Sequence, residues 1–245
     1  MNSAFTSMEP WRVHKFGGSS VADAACMERV ARILEDDPKR RVAAVLSACR
    51  GVTDALLALV SAAERQEDGD AARLDAIRER HRVIANTLLG SADAATYEQE
   101  LGRDCDDIAG ILQTVRLVRI GSAVVRDLVA GFGEIWSTRL FTRYLLARNR
   151  RPGGVHWIDA REIVRVDAAP LGPSILWPES RANADRVVPQ AQDATLIITG
   201  FIARTRDGLQ TTLGRNGSDF SGSIFGALLD ASDICLLYTS DAADE

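Results

Sequence analysis

Four segments of this 245-residue chain combine glycines, hydroxyls and charged side chains in spacings suited to holding charged groups of a ligand. The first is Lys15-Phe16-Gly17-Gly18-Ser19-Ser20, where an apolar run gives way to a helical pattern. Paired glycines let backbone N–H groups approach phosphate oxygens, and a following helix N-terminus favours negative charge. Lys15 supplies a point charge for a transferring phosphoryl group. The GxxxxGK[ST] order of a Walker loop is absent, and a plain strand-to-helix turn also accounts for the glycines. The second segment runs from Leu46 to Asp54 through Ser47, Gly51 and Thr53. It reads equally as a ligand contact or as a helix start capped by Thr53 or Asp54. In the third, Gly131-Phe132-Gly133-Glu134, a carboxylate opens an apolar run that continues as a helix. The helix dipole favours an acid in a first turn, and the same acid suits a substrate ammonium. The fourth, Thr211 to Ser223, packs Gly214, Arg215, Gly217, Ser218 and Asp219 into a loop opening onto a helix. A capped turn explains its glycines and one serine but leaves the arginine and aspartate without work; Arg215 could grip a carboxylate with a bidentate fork.

The elements that must position these residues are short apolar runs alternating with longer helical patterns. Runs at Val13–Phe16, Val42–Leu46, Val155–Ile158 and Leu196–Ile198 each lead into a polar or glycine-rich turn. Strands alternating with helices predict an α/β fold, a mainly parallel sheet covered on both faces. In such sheets ligands bind beyond the carboxyl ends of the strands, where these clusters fall. Helices are expected over about 22–35 and 54–63. Between Gln66 and Arg126, two apolar stripes at three- and four-residue spacing (Leu74, Ile77, His81, Ile84, Leu88; then Leu101, Cys105, Ile108, Leu112, Val115) predict a helical excursion from the sheet.

Composition narrows the function classes. A formal net charge of −5 and a pI near 5.3 argue against nucleic-acid and anionic-membrane partners. No apolar run approaches the ~20 residues of a membrane span, and no secretory signal opens the chain. Cys26, Cys49, Cys105 and Cys235 lack metal-ligand or disulfide-framework spacing and read as reduced thiols of a cytoplasmic protein. His14, His81 and His156 are far apart and are assigned no chemistry.

Taken together, the motifs resemble the aspartokinase group of the amino-acid kinase family. KFGGSS, LSACRGVTDAL, GFGEIWST, WIDAREI and TGFIARTRDGLQTTLGRNGSDFSGS follow that group's order from Val13 to about Ile234. The resemblance implies a three-layer αβα sandwich and transfer of the γ-phosphoryl of ATP, with Mg²⁺, to L-aspartate. That is the first step towards lysine, threonine and methionine. It implies that Lys15 neutralises phosphoryl charge beside Gly17, Gly18 and Ser19. Ser47 and Thr53 would line the aspartate pocket, Glu134 receive the α-ammonium, Arg215 grip the α-carboxylate with Ser218 nearby, and Asp219 organise the reacting centre. The chemistry agrees: a carboxylate nucleophile is ionised at neutral pH, so positioning and charge cancellation matter more than a general base.

Departures from the pattern set further expectations. Ile135-Trp136 stand where the group more often has Arg or Val with a smaller partner. After Ile234, residues 235–245 resemble a translated sequencing adapter more than a protein element. The chain is therefore expected to comprise a disordered leader (1–10), a catalytic domain (11–234) incomplete at its C-terminal end, and a non-native tail. The asparagine of GRNGSD and the VHKFGG leader resemble the kinase half of bifunctional aspartokinase–homoserine dehydrogenases, expected to be homo-oligomeric at full length. The alternatives are another amino-acid kinase, such as a glutamate kinase, and a degenerate aspartate-binding domain without catalysis.

Overall fold

The computed structural model describes residues 8–167, 172–214 and 217–237. Its main sheet has five strands: β1 (Arg12–Phe16), β2 (Arg41–Leu46), β3 (Val155–Ile158), β6 (Ala194–Thr199) and β9 (Asp233–Leu237). They pair in the order β3-β6-β2-β1-β9, and every pairing is parallel. All six residues of β2 and all six of β6 are buried. That is why these strands read as continuous apolar runs rather than alternating ones: a parallel strand is covered on both faces.

The two faces feed two cores. Val42, Ala44 and Leu46 pack with α1 (Ala24–Glu35), α2 (Val52–Glu64), α3 (Asp70–Leu88), α4 (Ser91–Val118) and α5 (Ala123–Arg148). Ala43 and Val45, one residue out of phase, pack with α7 (Trp177–Val187) and α8 (Gly217–Leu228). The period-two alternation of side chains thus produces the three-layer sandwich. The helical excursion is α3 and α4, with α5 already under way before Arg126. In α4 all five residues of the expected stripe are buried; in α3 only Leu88, at the last position, remains partly exposed.

Three local readings change. The first helix begins at Ala24 rather than Ala22, because a 3-10 turn (Gly18–Val21) comes first and the Asp23 carboxylate then accepts from Cys26 N at 2.8 Å to cap α1. The cap of α2 is Gly51, so Thr53 and Asp54 sit in the first turn and leave capping to the backbone. The expected sheet is also joined by a second one that the sequence does not announce. Strands β4 (Arg165–Asp167), β5 (Ser174–Ile175), β7 (Ile202–Thr205) and β8 (Gln210–Thr212) pair in the order β5-β4-β7-β8, with the short helix α6 (Ala160–Ile163) leading into β4. At two to four residues each, they are too short to show a period.

The boundary drawn after Ile234 falls inside β9, where Cys235 and Leu236 pair in register with His14 and Lys15. Residues 238–245, and 1–7 at the other end, lie outside the described residues. Cys26, Cys49 and Cys105 are buried free thiols, and Cys235 is a free thiol of intermediate exposure. Among the described residues no helix is long and apolar enough to cross a membrane.

Candidate active site

A cavity of about 480 Å³ opens beyond the carboxyl ends of the central strands. Gly18, Ser47, Thr53, Glu134 and Ser218 all line it, together with Ala48, Arg50 and Phe201. Five of the sequence-predicted residues, drawn from four separate segments, therefore meet on one wall. Lys15 and Asp219 join one another beside it: Lys15 Nζ lies 2.5 Å from an Asp219 carboxylate oxygen, and Lys15 is only 5% exposed. A Cβ on Gly17 would stand 3.5 Å from Lys15 Nζ, so that backbone borders the ammonium directly. Ser19 follows within the 3-10 turn. Arg215 lies outside the described residues.

The loops are locked by backbone contacts. Arg50 N donates to Gly18 O at 3.0 Å, and Ser47 N to Phe16 O at 3.2 Å, tying the ends of β1 and β2 together. A side chain at Gly18 would put its Cβ 2.9 Å from Ala48 O, too close for any other residue to be accommodated without movement. The helix N-terminus expected right behind Gly17-Gly18 is displaced by the 3-10 turn, and α1 is already capped by Asp23. Helix α8, which starts at Gly217, is the long helix whose first turn carries Ser218 and Asp219.

Glu134 differs most from its sequence expectation. It sits in the middle of α5, not in a first turn, so the helix dipole gives it no support. Gly133 lets α5 come this close: a Cβ there would stand 2.7 Å from Ala48 Cβ. The Glu134 carboxyl is 3% exposed; Ala48 N donates to Oε1 at 3.3 Å, and Oε2 is enclosed without a hydrogen-bond partner. Burial pushes its pKa up to about 8, and backbone hydrogen bonding, chiefly from Ala48, only partly opposes that. The Ser47 hydroxyl is likewise enclosed and without a partner. Two orphaned polar atoms on one cavity wall are unusual in a folded protein, where such groups are nearly always paired. Cys49, in the same loop, is a fully buried thiol pushed up to about 12 by burial and is inert there.

Sequence reading missed the residues that hold this wall in place. Ser137 Oγ donates to Ser47 O at 2.7 Å, fixing the β2 loop against α5. Asp127 accepts from Thr211 Oγ1 at 2.8 Å and from Thr212 N and Oγ1 at 3.1 and 3.0 Å, while the Gln210 amide donates to Asp127 O and Leu128 O. These bonds anchor β8, and with it the approach to Gly214 and α8, to the helix bearing Glu134. Asp127 lies more than eighty positions from its partners, and no local signal marks it. The Asp159 and Arg161 of WIDAREI instead pair with one another, and Arg161 reaches Gln210 Oε1 at 2.5 Å.

A sequence profile described as the amino acid kinase family matches residues 10–242. The bifunctional aspartokinase/homoserine dehydrogenase of Daucus carota is 33% identical over 92% of this chain and 24% of its own length. The lysine-sensitive aspartokinase 3 of Escherichia coli is 31% identical over 94% of this chain and 50% of its own. This chain thus spans between a quarter and a half of the curated relatives it matches. Among solved structures, E. coli aspartokinase III in complex with aspartate and ADP superposes with a TM-score of 0.79 at 29% identity, covering 92% of this chain and 48% of that one. The motif order, the parallel sheet with its strand-end cavity and the match along nearly the whole chain agree: the protein belongs to the amino acid kinase family.

Proposed function

We propose that this chain phosphorylates the side-chain carboxylate of L-aspartate with ATP, giving ADP and 4-phospho-L-aspartate, as the kinase part of a longer and homo-oligomeric cytoplasmic polypeptide. The observation that carries this reading is the pair of orphaned polar atoms, Glu134 Oε2 and Ser47 Oγ, on the wall of the strand-end cavity. Among the described residues no cation pairs with this buried carboxyl, which suits it to a ligand that brings its own ammonium; the incoming charge would compensate the carboxylate in a low-dielectric site. Ser47, Thr53 and Ser218 would orient the rest of the amino acid, and Arg215 would take its α-carboxylate.

Lys15 would hold the transferring phosphoryl group, with the Gly17 and Gly18 amides and Ser19 alongside. Asp219 holds the Lys15 ammonium in place at 2.5 Å. Catalysis here is positioning and charge neutralisation, since the attacking carboxylate needs no base. Among the described residues no group of three acidic, histidine or cysteine side chains could cage a metal. Mg²⁺ would be carried on the nucleotide phosphates, because it keeps its waters and takes few protein ligands, and Asp219 would be the carboxylate available to hold it. Bound in that way, it would offset the charge of the phosphoryl oxygens.

Coupled detection of ADP with aspartate and glutamate as acceptors tests the assignment. Aspartate-dependent ADP release, with the acyl phosphate product trapped by hydroxylamine as its hydroxamate, is the expected result. Preference for glutamate overturns the substrate, and aspartate binding without turnover points to a non-catalytic binding domain. Sequencing the source DNA beyond the Ile234 codon tests the proposal that 235–245 is non-native.

A further inference from the structure

At the opposite end of the strands, a second cavity of about 330 Å³ lies between the start of β1, the start of β2, α7 and the end of α8. Arg41 lines it and is only 6% exposed. Its guanidinium stacks on the Trp11 ring, 4.3 Å from the centroid. One donor, Nη1, reaches Glu9 O at 3.3 Å, while Nε is enclosed without an acceptor. Among the described residues no carboxylate offsets the charge: burial acts on the guanidinium and lowers its pKa. Two acids share the cavity wall. Asp230 is taken by Arg181, at 2.8 and 3.1 Å, and Asp185 is exposed. A buried arginine is ordinarily paired, since an unpaired buried charge is costly. Arg181, already paired with Asp230, and Gln190 complete the polar part of the wall, and Trp11, Ala184, Val188 and Leu229, all buried, supply an apolar part.

We propose that this cavity is a binding site for a small amphipathic carboxylate, whose anionic end sits on the Arg41 guanidinium and whose apolar body packs against Val188 and Leu229. The guanidinium fork matches a carboxylate in shape and charge. Because Arg181 is neutralised by Asp230, Arg41 is the cation left for a ligand, and the apolar side chains beside it favour a carboxylate with a hydrocarbon body over a bare anion. The site shares no residue with the strand-end cavity around Glu134, so it stands or falls separately from the kinase reading.

Thermal unfolding of the protein at constant ionic strength, titrated with butyrate, acetate and inorganic phosphate, tests this. Butyrate should raise the midpoint saturably, with an affinity roughly tenfold above that of acetate, the worth of two buried methylenes. Arg41→Met should abolish the response without lowering the unliganded midpoint. Asp185→Asn, on the exposed rim, should tighten butyrate binding by removing the one unpaired negative charge from the wall. A butyrate response that survives in Arg41→Met, or phosphate binding as tightly as butyrate, overturns the assignment. So does the absence of any saturable response in both the parent and Asp185→Asn.

Discussion

Two glutamates with enclosed carboxylates mark two different regions of this molecule. Glu35, at the end of α1, has a side chain 7% exposed and is gripped by Arg148 at 2.5 and 2.6 Å, with Arg150 at 3.6 Å. The hydrogen bond from Arg148 holds its carboxyl below the usual carboxylate range. Glu134, 3% exposed, has one amide donor and, among the described residues, no cation, and its pKa rises to about 8. The same side chain is thus a completed fastening in one place and an incomplete one in the other. The lesson is that the fold spends its arginines on structure, here and at Arg126–Glu64, Arg116–Asp70 and Arg139–Asp104, while leaving the cavity acid uncompensated. A buried acid without a cationic partner destabilises the fold, and its presence on the wall of a strand-end cavity is reason to expect a ligand.

The sharpest test of that division is Lys15→Ala. Loss of the buried ammonium beside Gly17 should cut kcat by at least about a hundredfold while KM for aspartate changes little. An unaltered kcat would mean the phosphoryl site lies elsewhere. Next comes Glu134→Gln, expected to raise KM for aspartate by about ten- to a hundredfold, because the amide cannot pair with an ammonium. Arg215→Ala should likewise act chiefly on KM.

Stability against pH then separates the two glutamates. The pKa of Glu134 is raised in the fold, so the folded chain holds a proton that the unfolded chain releases above about pH 4.5. The Glu134 contribution to stability should therefore fall by about 1.4 kcal/mol per pH unit between pH 4.5 and 8, and level off above. Urea titrations should show Glu134→Gln more stable than the parent at pH 8 and nearly equal at pH 4.5. Equal stability at both values would remove the claim that the acid is uncompensated. Glu35, with its lowered pKa, has the opposite sign: its contribution is full above the ordinary carboxylate range and disappears on acidification. Glu35→Gln should lower stability at neutral pH by about 1.5–3 kcal/mol without touching kcat. The smallest effect is Thr53→Ala, a few-fold on KM, since the residue lines the cavity but caps nothing.

The four apolar runs read as strands are strands β1, β2, β3 and β6, because burial on both faces leaves an unmistakable mark on sequence. The stripe in α4 was equally plain, since all five of its residues are buried. Of the site, Lys15, Ser47, Thr53, Glu134, Ser218 and Asp219 were legible as residue types near strand ends. The second sheet was not, nor was the role of Asp127, because strands of two to four residues carry no period and a bond between α5 and β8 leaves no local trace.

Sequence by itself determined the parallel α/β fold, the family and which segments carry charge next to glycine, since each follows from short-range pattern. Only the tertiary structure decided which of those charges are compensated. Glu134 could be read from sequence as a capped first-turn acid. Packing α5 against the β2 loop at Gly133 instead buried it mid-helix with a single amide. Arg41 gave no signal at all, and it became an uncompensated cation because Trp11 and the end of α8 enclose it. Compensation depends on distance and dielectric between residues far apart in the chain, and only the folded arrangement sets these.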